Sequence, residues 1–221
     1  MKILKITLVA IISSFLMILS SNALEKRIGV AAGFTNVSAD GTETIKDSSK
    51  KSNTEASDQA VIPSIFAELA MDNGFGLGIE HVPGSADINS TTRSRADDDE
   101  ETAGGNKASA EIDGLTSIYL IKSFESGFFV KAGRTSTTVN TKEVLGTGST
   151  YKNADINGTV VGLGVHKTND SGLFYRVSGE YTDYSTINLT SGVADAVSGT
   201  TNTIEANVDT MAFKFSIGKA F

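Results

Sequence analysis

Residues 211–221 read Met-Ala-Phe-Lys-Phe-Ser-Ile-Gly-Lys-Ala-Phe. Large apolar side chains occupy every second position of this segment as far as Ile217, and small or polar residues occupy the positions between them. Alternation with a period of two is typical of a β-strand whose two faces meet different surroundings. The segment therefore predicts a strand with one apolar face and one polar face.

The same alternation recurs along the chain and predicts eight strands, at about residues 27–37, 61–71, 75–81, 110–124, 128–139, 155–167, 173–184 and 208–221. Three connections are short, end in Gly and predict tight hairpin turns, at residues 71–74, 125–127 and 168–172. The other four are long and rich in Ser, Thr, Asn, Asp and Gly, at about residues 38–60, 82–109, 140–154 and 185–207. Because long and short connections alternate, every long loop leaves from the same end of the sheet, which predicts an up-and-down meander.

Aromatic residues gather at the tight-turn end of the predicted sheet: Phe75, Phe124, Phe128, Phe129, Phe174, Tyr175 and Phe221. Such a band is expected where a barrel crosses a bilayer interface, whereas in water it would be an exposed apolar belt. Strands that face lipid must also close, because an open edge would leave backbone groups unsatisfied in hydrocarbon. The predicted fold is therefore all-β, an eight-stranded antiparallel up-and-down transmembrane β-barrel. A soluble periplasmic sandwich is the least favoured alternative.

The composition excludes several classes of protein. The 221 residues contain no Cys, which excludes a disulfide scaffold, a thiolate metal site and a Cys nucleophile. The formal net charge of −7 argues against a nucleic-acid partner. A hydrophobic content of 39% would suit a soluble protein, but alternation spreads the lipid-facing residues over every second position.

The first 23 residues have the features of an export signal. Lys2 and Lys5 precede an apolar run from Ile6 to Leu19, and small residues follow as far as Ala23. The apolar run is shorter than the roughly 20 residues of a transmembrane helix, so an anchor is the weaker interpretation. We therefore expect residues 1–23 to be a cleaved signal peptide and residues 24–221 to form the barrel with four long external loops.

In the predicted strands, one set of alternate positions is apolar and the other is polar. Charged residues and most of the strand glycines lie at the polar positions. The charged residues are Arg27, Glu68, Glu80, Lys131, Arg176, Glu180 and Lys214. The interior of an eight-stranded barrel is just wide enough for side chains, and buried charges normally pair. We expect a salt-bridge network that fills the lumen, with a gated ion path as the alternative. The fourth strand leaves its own parity open, because Ile112, Ile118 and Leu120 compete with Leu115, Tyr119 and Ile121.

No catalytic, cofactor or metal site is predicted. His81 and His166 are the two histidines, and neither lies in a recognisable nucleophile motif. The five carboxylates from Asp97 to Glu101 match no EF-hand spacing and are interpreted as a solvated charge run.

The chain resembles the small eight-stranded outer-membrane barrels of Gram-negative bacteria, the opacity-protein and OmpX-like group often called the porin family. The resemblance spans the export signal, the three tight turns, the four long loops and the last strand. In that family the barrel assembly machinery reads a final Phe preceded by alternating apolar residues, which here are Phe213, Phe215, Ile217 and Phe221. Lys219, on the outward parity, is a departure that a snorkelling side chain tolerates.

The resemblance implies a location in the cell outer membrane, with the long loops outside the cell and the tight turns in the periplasm. We expect a structural or surface-interaction role, namely membrane integrity, adhesion or recognition through the loops, and no enzymatic activity. Implied partners are outer-membrane lipids and lipopolysaccharide, the assembly machinery during insertion, and an external ligand. The alternatives are a narrow pore for small solutes or ions and a lipid-modifying barrel enzyme.

Overall fold

A computed structural model describes residues 24–44, 51–88, 110–142, 150–192 and 201–221. Its ten strands are β1 (Glu25–Thr44), β2 (Lys51–Ala70), β3 (Phe75–His81), β4 (Ser85–Ile88), β5 (Ala110–Ser123), β6 (Phe128–Thr141), β7 (Ala154–Thr168), β8 (Leu173–Tyr184), β9 (Ile187–Thr190) and β10 (Thr203–Ala220). The expected signal peptide and the acidic run at residues 97–101 lie outside the described residues. Among the described residues, no helix is both long and apolar enough to cross a membrane.

The strands form a closed barrel. Neighbours pair in the order β1-β2-β3-β5-β6-β7-β8-β10, every pairing is antiparallel, and β1 closes the ring by pairing with β10. The short strand β4 follows β3 along the same neighbour, β5, and β9 follows β8 along β10. Because β4 continues β3 and β9 continues β8, the barrel wall has eight strand positions, which we call staves. The predicted eight-stranded up-and-down barrel is therefore confirmed.

The three tight turns lie where the sequence predicted them. In the first, the Gly74 amide donates to the Met71 carbonyl, and Gly74 has a positive φ of 81°. A Cβ on Gly74 would lie 2.2 Å from the carbonyl oxygen of Ser123 on β5. Glycine is required here for two reasons. Its backbone is in the left-handed region, and a Cβ would clash with the backbone of the neighbouring strand.

The outward face of the wall carries an apolar band next to these turns. Exposed fractions reach 63% for Phe34, 64% for Leu120 and 55% for Phe213, whereas the alternate residues of the same strands point inward. We call this surface the apolar band. Its upper limit on β1 is Phe34, beyond which the outward positions are polar: Asn36, Ser38, Asp40 and Thr42. A surface of this kind is stable against hydrocarbon rather than water.

Three of the predicted long loops are shorter than expected, because strands continue into them; in the loop 82–109 the continuing strand is β4. Strands β1 and β2 each have 20 residues and stay in register as far as Thr44 opposite Lys51, so most of the predicted loop 38–60 is a paired hairpin. Likewise, β9 and the start of β10 occupy part of the predicted loop 185–207. The prediction was wrong there because pairing continues through polar residues, where hydropathy no longer alternates. Thr42, for example, donates across the hairpin to the side chain of Asn53 at 3.0 Å.

A β-bulge explains why the parity of β5 could not be assigned from its sequence. The register with β6 shifts between Asp113 and Thr116, and Gly114 has a positive φ of 67°. Ile112 therefore points inward at 8% exposure, whereas Ile118 points outward at 48%. An inserted residue reverses the faces of a strand. Even-numbered residues of β5 therefore point inward before the bulge and outward after it.

Candidate functional site

All seven predicted lumen residues point into the barrel, where they form two groups. The first group, which we call the Glu68 cluster, centres on a carboxylate that is 1% exposed. Arg176 on β8 holds Glu68 with two parallel hydrogen bonds, Nη1 to Oε1 at 2.7 Å and Nη2 to Oε2 at 2.9 Å. The Tyr119 hydroxyl donates to Oε1 at 2.8 Å, and Arg27 Nη1 lies 3.8 Å from Oε2. The cluster thus joins β1, β2, β5 and β8.

Aromatic rings enclose the guanidinium of Arg176. Its Cζ lies 5.3, 4.8 and 5.5 Å from the ring centroids of Phe66, Phe129 and Phe174. These distances allow cation–π attraction, which is stronger where water is excluded. The lumen accommodates the rings because small residues lie opposite them: a Cβ on Gly164 would come within 2.8 Å of the Phe129 ring. A planar cation fills this level of the barrel together with the rings around it.

The second group, which we call the four-charge ring, consists of Glu80, Lys131, Glu180 and Lys214. Glu80 lies 3.3 Å from Lys131 and 2.5 Å from Lys214. Glu180 lies 2.5 Å from Lys131 and 2.9 Å from Lys214. Each carboxylate therefore lies between two ammonium groups, and the formal charges cancel.

The two groups are in contact with each other. Lys131 Nζ lies 4.5 Å from the centroid of the Tyr119 ring, whose hydroxyl belongs to the Glu68 cluster. The cavity between the groups has a volume of about 10 Å³, room for about one water molecule. Side chains therefore fill the lumen at this depth.

Three members of these groups were not among the predicted lumen residues. The Glu25 carboxylate pairs with Arg27, Ser64 donates to Glu80 Oε1 at 2.6 Å, and Tyr119 contributes its hydroxyl. Ser64 lies on the same face of β2 as Glu68, but it is uncharged, so a search for charged residues does not find it. In the sequence, Tyr119 belongs to the apolar residues of a strand whose faces are ambiguous, and Glu25 precedes the predicted start of the first strand.

Above the four-charge ring the interior holds an apolar cluster beside buried threonines, among them Thr137, Thr182 and Thr210. Ile156, Tyr184 and Ile187 form a buried cluster in the part of the barrel beyond the apolar band. Tyr151, in the connection before β7, is also buried and donates to Glu43 at 3.3 Å.

Searches of family models and of curated proteins find no match to this chain. Solved structures do match: OprG of Pseudomonas aeruginosa has a TM-score of 0.60 at 10% identity, covering 90% of this chain and 96% of that one. The outer membrane protein AlkL gives 0.56 at 9% identity, with 91% and 92% covered. The outer membrane protease OmpT of Escherichia coli gives 0.50 at 9%, with 91% and 99% covered.

The chain has the fold of the outer-membrane β-barrels. At these identities the likeness concerns the fold, and it agrees with the resemblance to small outer-membrane barrels inferred from the sequence. Together with the apolar band, it also agrees with the expected location in the cell outer membrane.

The histidines of the barrel lie apart from each other. His81 Nδ1 lies 2.9 Å from the Thr116 hydroxyl, whereas the ring of His166 packs at 6.0 Å from that of Phe129. Among the residues that the structure describes, no group of three or more His, Asp or Glu could hold a metal ion.

The residues of the expected assembly signal lie on the outer surface of the barrel. Phe213, Phe215 and Ile217 are 55%, 55% and 42% exposed within the apolar band, and Phe221 is 70% exposed. The Phe221 amide donates to the carbonyl of Lys26 at 2.9 Å. Lys219, the departure from the family pattern, donates to the backbone carbonyl of Ser171 in the third tight turn.

Proposed function

We propose that this outer-membrane barrel does not conduct and acts at the cell surface, in membrane integrity, adhesion or recognition. The observation that carries this proposal is the length of its wall. Strands β1 and β2 each have 20 residues, whereas about 9–11 residues cross a bilayer. We call the polar part of the wall beyond the apolar band the extension.

The packed lumen supports the non-conducting part of the proposal. The Glu68 cluster and the four-charge ring occupy successive levels, and an apolar cluster follows within the extension. An ion would have to displace paired charges at two levels, and breaking a buried pair is strongly unfavourable.

The outward chemistry of the extension supports an interaction role. Its described strands present carboxylates outward, among them Asp40, Asp155, Asp183, Glu205 and Asp209. Asp183 and Asp209 lie directly opposite each other across β8 and β10. Like charges in this arrangement destabilise a sheet, so folding alone does not explain them. Charge complementarity favours a partner with a basic surface.

A shortened hairpin tests the surface role. Val37 and Asp58 are partners in the register of β1 and β2, so residues 38–57 can be replaced by Asn-Gly to make a two-residue turn. We expect cells that express the shortened protein to attach less than cells with the full protein to epithelial cell layers and to surfaces coated with a basic protein. Equal attachment of cells with the full protein, the shortened protein and no protein would contradict adhesion. Detergent sensitivity of the same three strains tests membrane integrity.

Two further measurements test the alternatives. In a planar bilayer we expect the purified barrel to give no reproducible conductance steps, and steady steps would overturn the non-conducting proposal in favour of a narrow pore. Mass spectrometry of lipid A from expressing cells should show no new species. A modified lipid A that disappears with the protein would identify a lipid-modifying enzyme.

A further inference from the structure

A groove of about 420 Å³ crosses the outward face of β10, β1 and β2. Ala32, the smallest outward side chain along this part of β1, lines the groove and lies opposite Phe215 on β10 and Pro63 on β2. Val30, Ile65, Phe215 and Ile217 line its sides. These four residues are between 42% and 55% exposed and belong to the apolar band, so the groove is continuous with the surface that faces lipid.

The two prolines of the chain, Pro63 and Pro83, also line this groove. The pairing of β2 with β3 ends at Ile65 opposite His81, so the same register would next place Pro63 opposite Pro83. The Met71 amide donates to the Phe75 carbonyl in this ladder, so odd-numbered residues of β2 direct their backbone groups toward β3. Neither proline has an N–H, and the ladder therefore cannot continue through this pair.

Beyond the two prolines, β2 no longer pairs with the neighbouring strand formed by β3 and β4. Residues 51–64 of β2 pair with β1, and β4 pairs with β5. The wall is thus interrupted at the depth of the apolar band, where Val61 and Ile65 are 60% and 49% exposed. An amide hydrogen at this point would be unsatisfied in hydrocarbon, but both positions present pyrrolidine rings instead. At this pair the interruption therefore exposes no amide hydrogen to an apolar occupant.

We propose that one acyl chain of a membrane lipid lies in this groove, against Ala32 and the two prolines. The volume falls within the roughly 300–1,000 Å³ of small-molecule sites. The outward side chains that line the groove are aliphatic or aromatic, whereas the other lining residues, Ala31, Ser64 and Ser216, are buried toward the lumen. The surrounding bilayer supplies the occupant. The site depends on the barrel being embedded in a membrane and not on the surface role, so the lipid and attachment experiments can fail independently.

Filling the groove tests the proposal. Ala32→Phe places a ring in the groove from an outward position, so the lumen residues are untouched. The matched control is Ala132→Phe on β6, an exposed outward alanine between Leu120 and Val161 of the neighbouring staves. Each protein is reconstituted in nanodiscs of phosphatidylethanolamine and phosphatidylglycerol, and native mass spectrometry counts the lipids retained as collision energy rises.

We expect the unmodified protein and Ala132→Phe to keep one lipid after the others have been stripped, and Ala32→Phe to lose it with the rest. A gel shift between unboiled and boiled samples shows that each variant is folded, and Ala32→Leu replaces Ala32→Phe if the larger side chain prevents folding. The proposal is overturned if no lipid outlasts the others in the unmodified protein. Equal retention by the Ala32 and Ala132 variants overturns it too.

Discussion

The Glu68 cluster and the four-charge ring fill adjacent levels of one lumen, but they are built differently. In the cluster, the Glu68 carboxylate accepts two parallel hydrogen bonds from the planar guanidinium of Arg176, which is surrounded by aromatic rings. In the ring, two carboxylates share two flexible ammonium groups, so each charge has two partners. The cluster depends on one geometry, whereas the ring contains a spare partner for every member. Substitutions should therefore cost more in the cluster than in the ring.

Glu68→Ala should have the largest effect. It leaves Arg176 and Arg27 without the carboxylate that lies between them, and losing one partner of a buried pair costs about 3–5 kcal/mol. The free energy of unfolding, measured by urea titration in lipid vesicles, gives the loss. Glu205→Ala, in the exposed extension, is the control, and an equal loss in the two variants would contradict a special role for the cluster.

Arg176→Lys should come next, although the charge is kept. An ammonium group cannot make the two parallel hydrogen bonds to Glu68 or stack as a plane among Phe66, Phe129 and Phe174. We expect a loss of about 2–3 kcal/mol, the size of one or two charge-assisted hydrogen bonds. Lys131→Arg in the ring is the comparison. A larger loss there than in Arg176→Lys would reverse the proposed difference between the two groups.

Glu80→Ala should cost less than Glu68→Ala, because Glu180 still contacts both lysines. We expect about 1–3 kcal/mol, which includes the hydrogen bond from Ser64. Adding Glu180→Ala removes the spare partner, so the double variant should lose more than the sum of the single variants. Additive losses would show that the carboxylates do not compensate for each other.

Lys142→Ala, in the extension, should have the smallest effect. Lys142 lies 2.5 Å from Glu111, and its hydrogen bond holds the pKa of that carboxyl below the usual range. A depressed folded-state pKa adds stability above the unfolded pKa, which is lost as pH falls through the folded value. Because the Lys142 side chain is half exposed, this pair should contribute no resolvable stability, and removing the lysine should raise the pKa of Glu111 toward the usual range. Carboxyl NMR titration measures the shift, and an unchanged pKa would contradict this assignment.

Much of the fold could be predicted from alternation, since lipid on one side of the wall and a packed lumen on the other impose opposite demands on neighbouring residues. The inward placement of Glu68 and Arg176 follows from parity. Their pairing does not, because it depends on how staves distant in sequence meet across the lumen. The bulge at Gly114 reverses parity within one strand, so the place of Tyr119 in the Glu68 cluster could not be assigned. In the extension both faces are polar, so hydropathy contains no signal for the paired hairpin.

The central claim is that paired side chains, and not water, fill the lumen. The chain has no Cys, so single cysteines can be introduced into the unmodified sequence. Ser178, 3% exposed, lines the small cavity between the two charged groups, whereas Ser136 is exposed on the outward face above the apolar band. In the folded barrel, a charged, water-soluble thiol reagent should modify Ser136→Cys readily and leave Ser178→Cys unmodified until the protein is unfolded. Modification of the two cysteines at similar rates would show an aqueous lumen and contradict the account.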